Sequence, residues 1–225
     1  MAKVKNTDDH ISENRKRERM NDEDDRTVLE DILDFVKIFA LSAIVILLFV
    51  NFIAQPVSVV GHSMDPTLSN GEFGFTGIIQ NFFREIERGD IVVLKMEDEN
   101  GTQSHWVKRV IGMPGETIEA KNGVVYINGE PLDESAYLNA EFMQKELDAI
   151  NASLKDENAN KGFEYGTFQD DFGPVTLNSD QYFVMGDNRP NSKDSRHPSV
   201  GPVTRDQICG TGIMVLYPFN QLGVK

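Results

Sequence analysis

Cysteine is almost missing from this chain: Cys209 is the single example. No disulfide can close within it, so neither oxidising nor reducing surroundings are demanded. The four histidines, His10, His62, His105 and His197, are scattered. With one cysteine they leave no zinc-type spacing, so no metal is expected, and no cofactor is expected either. Positive charge is also scarce: 22 Lys and Arg stand against 36 Asp and Glu, a net charge of −14. No basic stripe offers phosphates a counter-charge, which argues against a nucleic-acid partner. There is no internal repeat, and only one long apolar run.

That run is residues 38–53, IFALSAIVILLFVNFI. With Lys37, whose stem can snorkel, and Ala54 it measures about 27 Å at the helical rise, close to the hydrocarbon thickness of a bilayer. A transmembrane helix is expected over 35–54. A cleaved signal peptide fits poorly, because the preceding region is long and of mixed charge and Phe52-Ile53-Ala54 is no small-x-small cleavage site. Orientation follows from Lys and Arg alone. Lys3, Lys5, Arg15, Lys16, Arg17, Arg19 and Arg26 precede the span, whereas after Lys37 the next basic residue is Arg84. The N-terminus is therefore expected in the cytoplasm and residues 55–225 outside it, on a single-pass protein of the cell membrane. Residues 1–34, dense in charge, are expected to be a disordered tail.

Beyond Gln55 the pattern turns to short β-like runs punctuated by Gly, Pro and Asn. Candidate strands are 56–60, 73–79, 90–94 after the Arg88-Gly89 turn, 106–111, 181–185 and 212–216. Residues 117–120 and 124–127 flank Lys121-Asn122-Gly123, a hairpin signal. Phe142, Leu147 and Ile150 or Leu154 recur at helical spacing, predicting one amphipathic helix over 139–154. The exported part reads as mostly β with one helical insertion.

Three islands carry possible chemistry: GHSMDPTL at 61–68, HWVKRVIGMPGE at 105–116, and GDNRPNSKDSR at 186–196. A serine hydroxyl needs a base that is unprotonated at working pH. His62 adjoins Ser63, but in an extended segment neighbouring side chains point to opposite faces, so it reads as a rim histidine. His105 and His197 belong to no recognisable Ser/His/Asp spacing. A lysine serves as base if burial disfavours its ammonium form. On a strand Trp106, Lys108 and Val110 share one face, an apolar flank of the kind a neutral lysine requires. The local pattern equally suits an exposed lysine on an edge strand, and Lys95 is a rival. Backbone amides of the Gly61–Ser63 bend are candidates for stabilising an oxyanion. Taken alone, 186–196 reads as a surface loop of turn-forming residues.

The islands, in this order after an apolar anchor and with RGDIVVLK and a final strand ending in YPFN, resemble bacterial type I signal peptidase, specifically its Gram-positive branch. The resemblance covers the anchor and nearly all of 55–220. It implies a signal-peptidase/LexA-like antiparallel β core with an inserted smaller β-rich cap, about 116–179, containing a short helix. It implies a Ser/Lys endopeptidase that removes N-terminal signal peptides from exported preproteins, working at the lipid bilayer. Ser63 is similar to the family's nucleophile and Lys108 to its general base. Ser192 falls where a serine hydroxyl holds the lysine amine. Asp194 and Arg196 fall where an ion pair braces the site, and Asp187 lies in the same loop. Val59, Val60, Met64, Leu68 and Val107 match substrate-binding positions. Gly61 stands where many Gram-negative members have a serine that assists the oxyanion, and Pro190 where many members have aspartate. Two other readings are a self-cleaving repressor-type Ser/Lys peptidase and a non-catalytic membrane-tethered β-rich binding module. An S-x-x-K spacing of the beta-lactamase kind is absent.

Overall fold

Val28–Phe52 forms one helix, α1, in a computed structural model that describes residues 28–77, 84–97, 101–155 and 171–225. Glu30 and Asp31 lie in its first turn, where carboxylates complement the positive end of the helix dipole. The helix thus begins within the segment 1–34 expected to be a disordered tail; residues 1–27 lie outside the described residues. Val28, Leu29, Ile32, Leu33 and Val36 extend the apolar pattern through the acidic residues, which the charge count had assigned to the tail. The stretch Val28–Phe49 is long and apolar enough to cross a membrane, and none of it is buried within the protein. The helix ends at Phe52, and Ala54, expected to be its last residue, is instead the first of a strand.

Residues 50–225 form a separate unit built on two antiparallel sheets. The larger contains β1 (Ala54–Ser58), β2 (Phe73–Gly77), β3 (Ile91–Glu97), β4 (Gln103–Gly112), β9 (Gln181–Met185), β10 (Val203–Thr204) and β11 (Ile208–Tyr217). Its order is β1-β2-β11-β3-β4-β9-β10, and β12 (Gly223–Val224) pairs with β11. The smaller contains β5 (Thr117–Lys121), β6 (Val124–Ile127), β7 (Glu130–Pro131) and β8 (Phe172–Thr176), ordered β7-β6-β5-β8. The β5–β6 hairpin turns on Asn122 and Gly123, both at positive φ, the conformation an Asn-Gly pair favours in a two-residue turn. The expected strand 73–79 ends at Gly77, with 78–79 outside the described residues.

β3 shows why the larger sheet is stable. Its first four residues are all buried, so it is covered on both faces. Ile91 and Val93 pack with Val59, Met64, Leu68, Ile213 and Val215 on one side. Val92 and Leu94 pack with Ile86, Val110, Val184, Val203 and Ile208 on the other. The smaller sheet shares a third cluster with the larger: Ile118, Ala120, Val125 and Ile127 pack against Ile111, Phe183 and Met185 of β4 and β9. Phe172 stacks on Phe183 at 5.1 Å. The amphipathic pattern at 139–154 forms helix α2, Ala140–Lys155, whose first turn is capped by Asn139 Oδ1 accepting from the Phe142 amide at 2.9 Å.

Candidate active site

Ser63 lies in a turn directly after β1, not on an extended strand as its surroundings had predicted. Gly61 at φ +96 reverses the chain, and the Leu68 amide donates back to the Met64 carbonyl at 2.9 Å. Gly61's own amide donates to Asn70 Oδ1 at 3.0 Å. Among the described residues the Gly61 amide is thus engaged, while the amides of His62 and Ser63 have no backbone acceptor. His62 is exposed, with Nδ1 2.8 Å from Asp65 Oδ2, and takes no part in the contact to Ser63.

Lys108 is on β4, paired opposite Val92 of β3. Alternation sends its side chain to the face of Trp106 and Val110, and the residue is only 4% exposed. Its amine donates to Ser63 Oγ at 2.6 Å. Burial lowers its pKa from 10.5 to about 8, partly opposed by the Asp194 carboxylate and aided by the Arg196 guanidinium. The Trp106 ring lies 5.8 Å from the amine. The rival Lys95 is exposed, as are His105 and His197.

The 186–196 loop covers this pair. Asp194, 1% exposed, accepts from Arg196 Nε at 2.8 Å, Arg196 Nη2 at 2.7 Å, Ser192 Oγ at 2.7 Å and the Gly186 amide at 2.9 Å. The Ser192 hydroxyl is therefore committed to Asp194; among the described residues the hydrogen bond from the Lys108 amine goes to Ser63 and not to Ser192. The short reach of a serine on the same turn as Asp194 explains this pairing. Asn188 donates its amide to the Ser63 carbonyl at 3.0 Å, fixing the backbone at Ser63.

Sequence reasoning missed the partner of Asp187. Arg109 clamps it through Nε at 2.8 Å and Nη2 at 2.6 Å, and Thr67 Oγ1 donates to it at 2.6 Å. The signal was available in part: Arg109 follows Lys108 on the strand and so faces the opposite way. It also missed Glu134, which binds Arg189 from the cap.

A groove of about 760 Å³ runs past Ser63 and Lys108, between β1 and the first half of β4. Val59, Val60, Met64 and Val107 line it together with Val57, Trp106 and Lys193. Val60 is a rim residue, 88% exposed. Leu68 does not line the groove: it is fully buried beneath, packed with Val59 and Met64. Both walls are sheet edges. Val59 bonds to the β2 side through Glu72 and Gly71, so by alternation the Ser58 amide and carbonyl face the groove. Pro56 faces it too, at an edge position where the missing N–H breaks no ladder. On β4, Val110 bonds to Asp90 and Gly89, so the backbone groups of Val107 and His105 also point into the groove. Among the described residues, no cluster of three or more His, Cys, Asp or Glu has the form of a metal site.

A hydroxyl hydrogen-bonded to a buried amine, beside two unpaired strand edges, is equipped for acyl transfer on an extended peptide. The family model described as signal peptidase, peptidase S26, matches residues 32–217. The chain is 44% identical over 193 residues to signal peptidase I S of Bacillus subtilis (strain 168), covering 86% of this chain and 93% of that protein. It is 39% identical over 191 residues to signal peptidase I of Bacillus amyloliquefaciens, covering 85% and 91%. A crystal structure of a signal peptidase I from Enterococcus faecalis V583 is 27% identical, covers 59% of this chain and 97% of that one, and aligns with a TM-score of 0.37. The chain belongs to the signal peptidase family, peptidase S26.

Proposed function

We propose that this protein is a membrane-anchored serine endopeptidase that removes signal peptides from exported preproteins, with Ser63 as nucleophile and Lys108 as general base. The observation that carries the reading is the 2.6 Å contact between the Lys108 amine and Ser63 Oγ in a niche dry enough to hold the amine neutral near pH 8. The neutral amine takes the proton from Ser63 as Oγ attacks the carbonyl of the last signal-peptide residue. The His62 and Ser63 amides receive the developing oxyanion. The ammonium then gives its proton to the departing amine, breaking the peptide bond and leaving an ester on Ser63. A water, giving a proton to Lys108, attacks the ester; as the ester bond breaks Lys108 returns that proton to Ser63 Oγ, and the signal peptide leaves with a free carboxyl group. Asp194, Arg196 and Ser192 hold the loop over the amine, and Arg109 with Asp187 braces its other side.

The substrate lies as an added strand between the β1 and β4 edges, its main chain bonded by Ser58 and Val107. Its alternate side chains meet Val57, Val59, Met64 and Val107, a shallow apolar wall that accepts small residues one and three before the cut. The anchor, α1, holds the protease in the bilayer that also holds its substrates, raising their effective concentration. The basic residues before the span place the N-terminus in the cytoplasm and the catalytic unit outside. The net charge of −14, with no basic stripe in the sequence, argues against a nucleic-acid partner.

The purified full-length protein in detergent or vesicles should cleave a membrane-inserted preprotein, and Ser63→Ala should lower the rate by about 10³-fold or more. Undiminished cleavage by Ser63→Ala refutes the assignment.

A further inference from the structure

The cap reaches the 186–196 loop through two carboxylates: Glu146 of α2, which accepts from Asn188 Nδ2 at 3.2 Å, and Glu134. Glu134, whose side chain is 9% exposed, accepts both terminal nitrogens of Arg189 and the Tyr137 hydroxyl, the last at 2.7 Å. Arg189 is itself buried, and its Nε donates to the Gly186 carbonyl at 3.1 Å. The Tyr137 ring lies against the Arg109 guanidinium at 4.3 Å, the same guanidinium that clamps Asp187. Glu134 therefore acts on both neighbours of one short segment. Residues 186–188 of that segment seat the nucleophile: Gly186 packs on the Ser63 carbonyl, Asp187 holds Thr67, and Asn188 donates to the Ser63 carbonyl.

We propose that Glu134 is a positioning residue for the Ser63/Lys108 site: this cap carboxylate holds residues 186–189 in place against Ser63 and keeps the niche around the Lys108 amine closed to water. The inference rests on the roles assigned above to Ser63 and Lys108, and it gives the cap a part in the reaction. A carboxylate and a guanidinium desolvated together fix geometry more tightly than an exposed pair, because neither can be satisfied by water if the other moves. The charged groups facing the amine, Asp194, Arg196 and Asp187, all belong to the loop Glu134 restrains. Ser63 and Trp106 face it from the other elements.

The test uses the full-length protein in detergent with lysine carrying ¹³C at Cε, the Lys108 signal being assigned by its loss in Lys108→Met. In the wild type this signal should titrate near pH 8. In Glu134→Gln its midpoint should move up by roughly half a unit or more, because water now reaches the ammonium. On a preprotein, kcat should fall about tenfold or more with KM unchanged, as expected when a positioned group shifts. Because Glu134→Gln leaves Arg189 buried without its carboxylate, a second variant separates loss of folding from loss of positioning. The double variant Glu134→Leu with Arg189→Met replaces the ion pair by apolar side chains, a change that buried pairs often tolerate. It should melt near the wild-type temperature yet keep the raised midpoint and the lowered kcat. A folded double variant with the wild-type midpoint and kcat overturns the proposal. The titration is read without substrate, so a wild type that titrates near 8 but cleaves no preprotein removes the proposed function and leaves the positioning role standing.

Discussion

Gly186 and Ser63 approach so closely that no side chain fits between them: a Cβ on residue 186 would stand 2.3 Å from the Ser63 carbonyl oxygen and 2.3 Å from Ser192 Oγ. The glycine is required by contact. One absent methyl group lets the 186–196 loop lie flat on the Ser63 backbone, where Asn188 then reaches the same carbonyl. Gly186→Ala must push Ser63 away from Lys108 or lift the loop. A displacement near 1 Å costs about 10²-fold in rate, and overpacking costs about 1–3 kcal/mol of stability. Preprotein cleavage and thermal melting measure the two losses. Wild-type kcat in Gly186→Ala would mean that the backbone yields without moving the hydroxyl.

The pH dependence follows from the amine. In the proposed mechanism Lys108 acts as base only when neutral, and burial lowers its pKa to about 8. At pH 7 about a tenth of the molecules carry a neutral amine. The rate should therefore rise roughly tenfold per pH unit below 8 and level off above it. Single-turnover cleavage between pH 6 and 10 gives the profile. A rate that is flat from 6 to 8 is incompatible with Lys108 as the base.

The strands and the amphipathic helix could be read from the chain because each leaves a local mark. Residues 90–94 follow a turn signal as an apolar run and Asn122-Gly123 marks a tight turn, whereas Trp106-x-Lys108-x-Val110 suits an exposed lysine equally well, so that Ser63 and Lys108 are paired by the resemblance and not by the local pattern. What stayed hidden depends on contacts across long separations. Asp187 meets Arg109 across 78 positions and Arg189 meets Glu134 across 55, and no spacing encodes either pairing. Ser192 illustrates a subtler gap: the resemblance implies a hydroxyl that holds the lysine amine, but here it turns to Asp194 two positions away, a rotamer choice that sequence does not specify. Leu68, which the resemblance implies at the substrate, shows the same limit for depth, because it is fully buried beneath the groove.

Lys108 should also weaken the fold it serves. A lysine whose folded-state pKa lies below its unfolded value binds fewer protons when folded, so its stability cost is fully present below pH 8 and is relieved as pH rises from 8 toward 10.5. The depression from 10.5 to about 8 corresponds to roughly 3 kcal/mol at neutral pH. Lys108→Met, which keeps the apolar stem and removes the charge, should be inactive yet more stable than the wild type at pH 7 by up to that amount. Urea unfolding at pH 7 and at pH 10 tests this, and the advantage should shrink at the higher pH. A variant less stable than the wild type at pH 7 would show that the amine is satisfied in its charged form.

Asp194 presents the opposite case. Burial alone would push its carboxyl upward, but the Arg196 guanidinium, the Gly186 amide and the Ser192 hydroxyl hold it below the usual carboxylate range. Asp194→Asn keeps the shape but turns an amide donor toward some of these donors and removes the carboxylate that accepts from Arg196 Nε and Nη2. Breaking such a pair costs about 3–5 kcal/mol. Because the folded-state pKa is depressed, this stability is present above the unfolded value near 3.9 and is lost as pH falls through the folded one. The gap between wild type and variant should therefore be full at pH 7 and narrow on acidification below about 4. A second consequence has its own sign. The Asp194 charge raises the Lys108 pKa, so its removal should shift the acid limb of the cleavage profile to lower pH in whatever fraction remains folded. Denaturant unfolding and the pH profile thus read one substitution in two independent ways. A variant as stable as the wild type at pH 7 would mean that water replaces the carboxylate around Arg196, and the dry niche on which Lys108 depends would not exist.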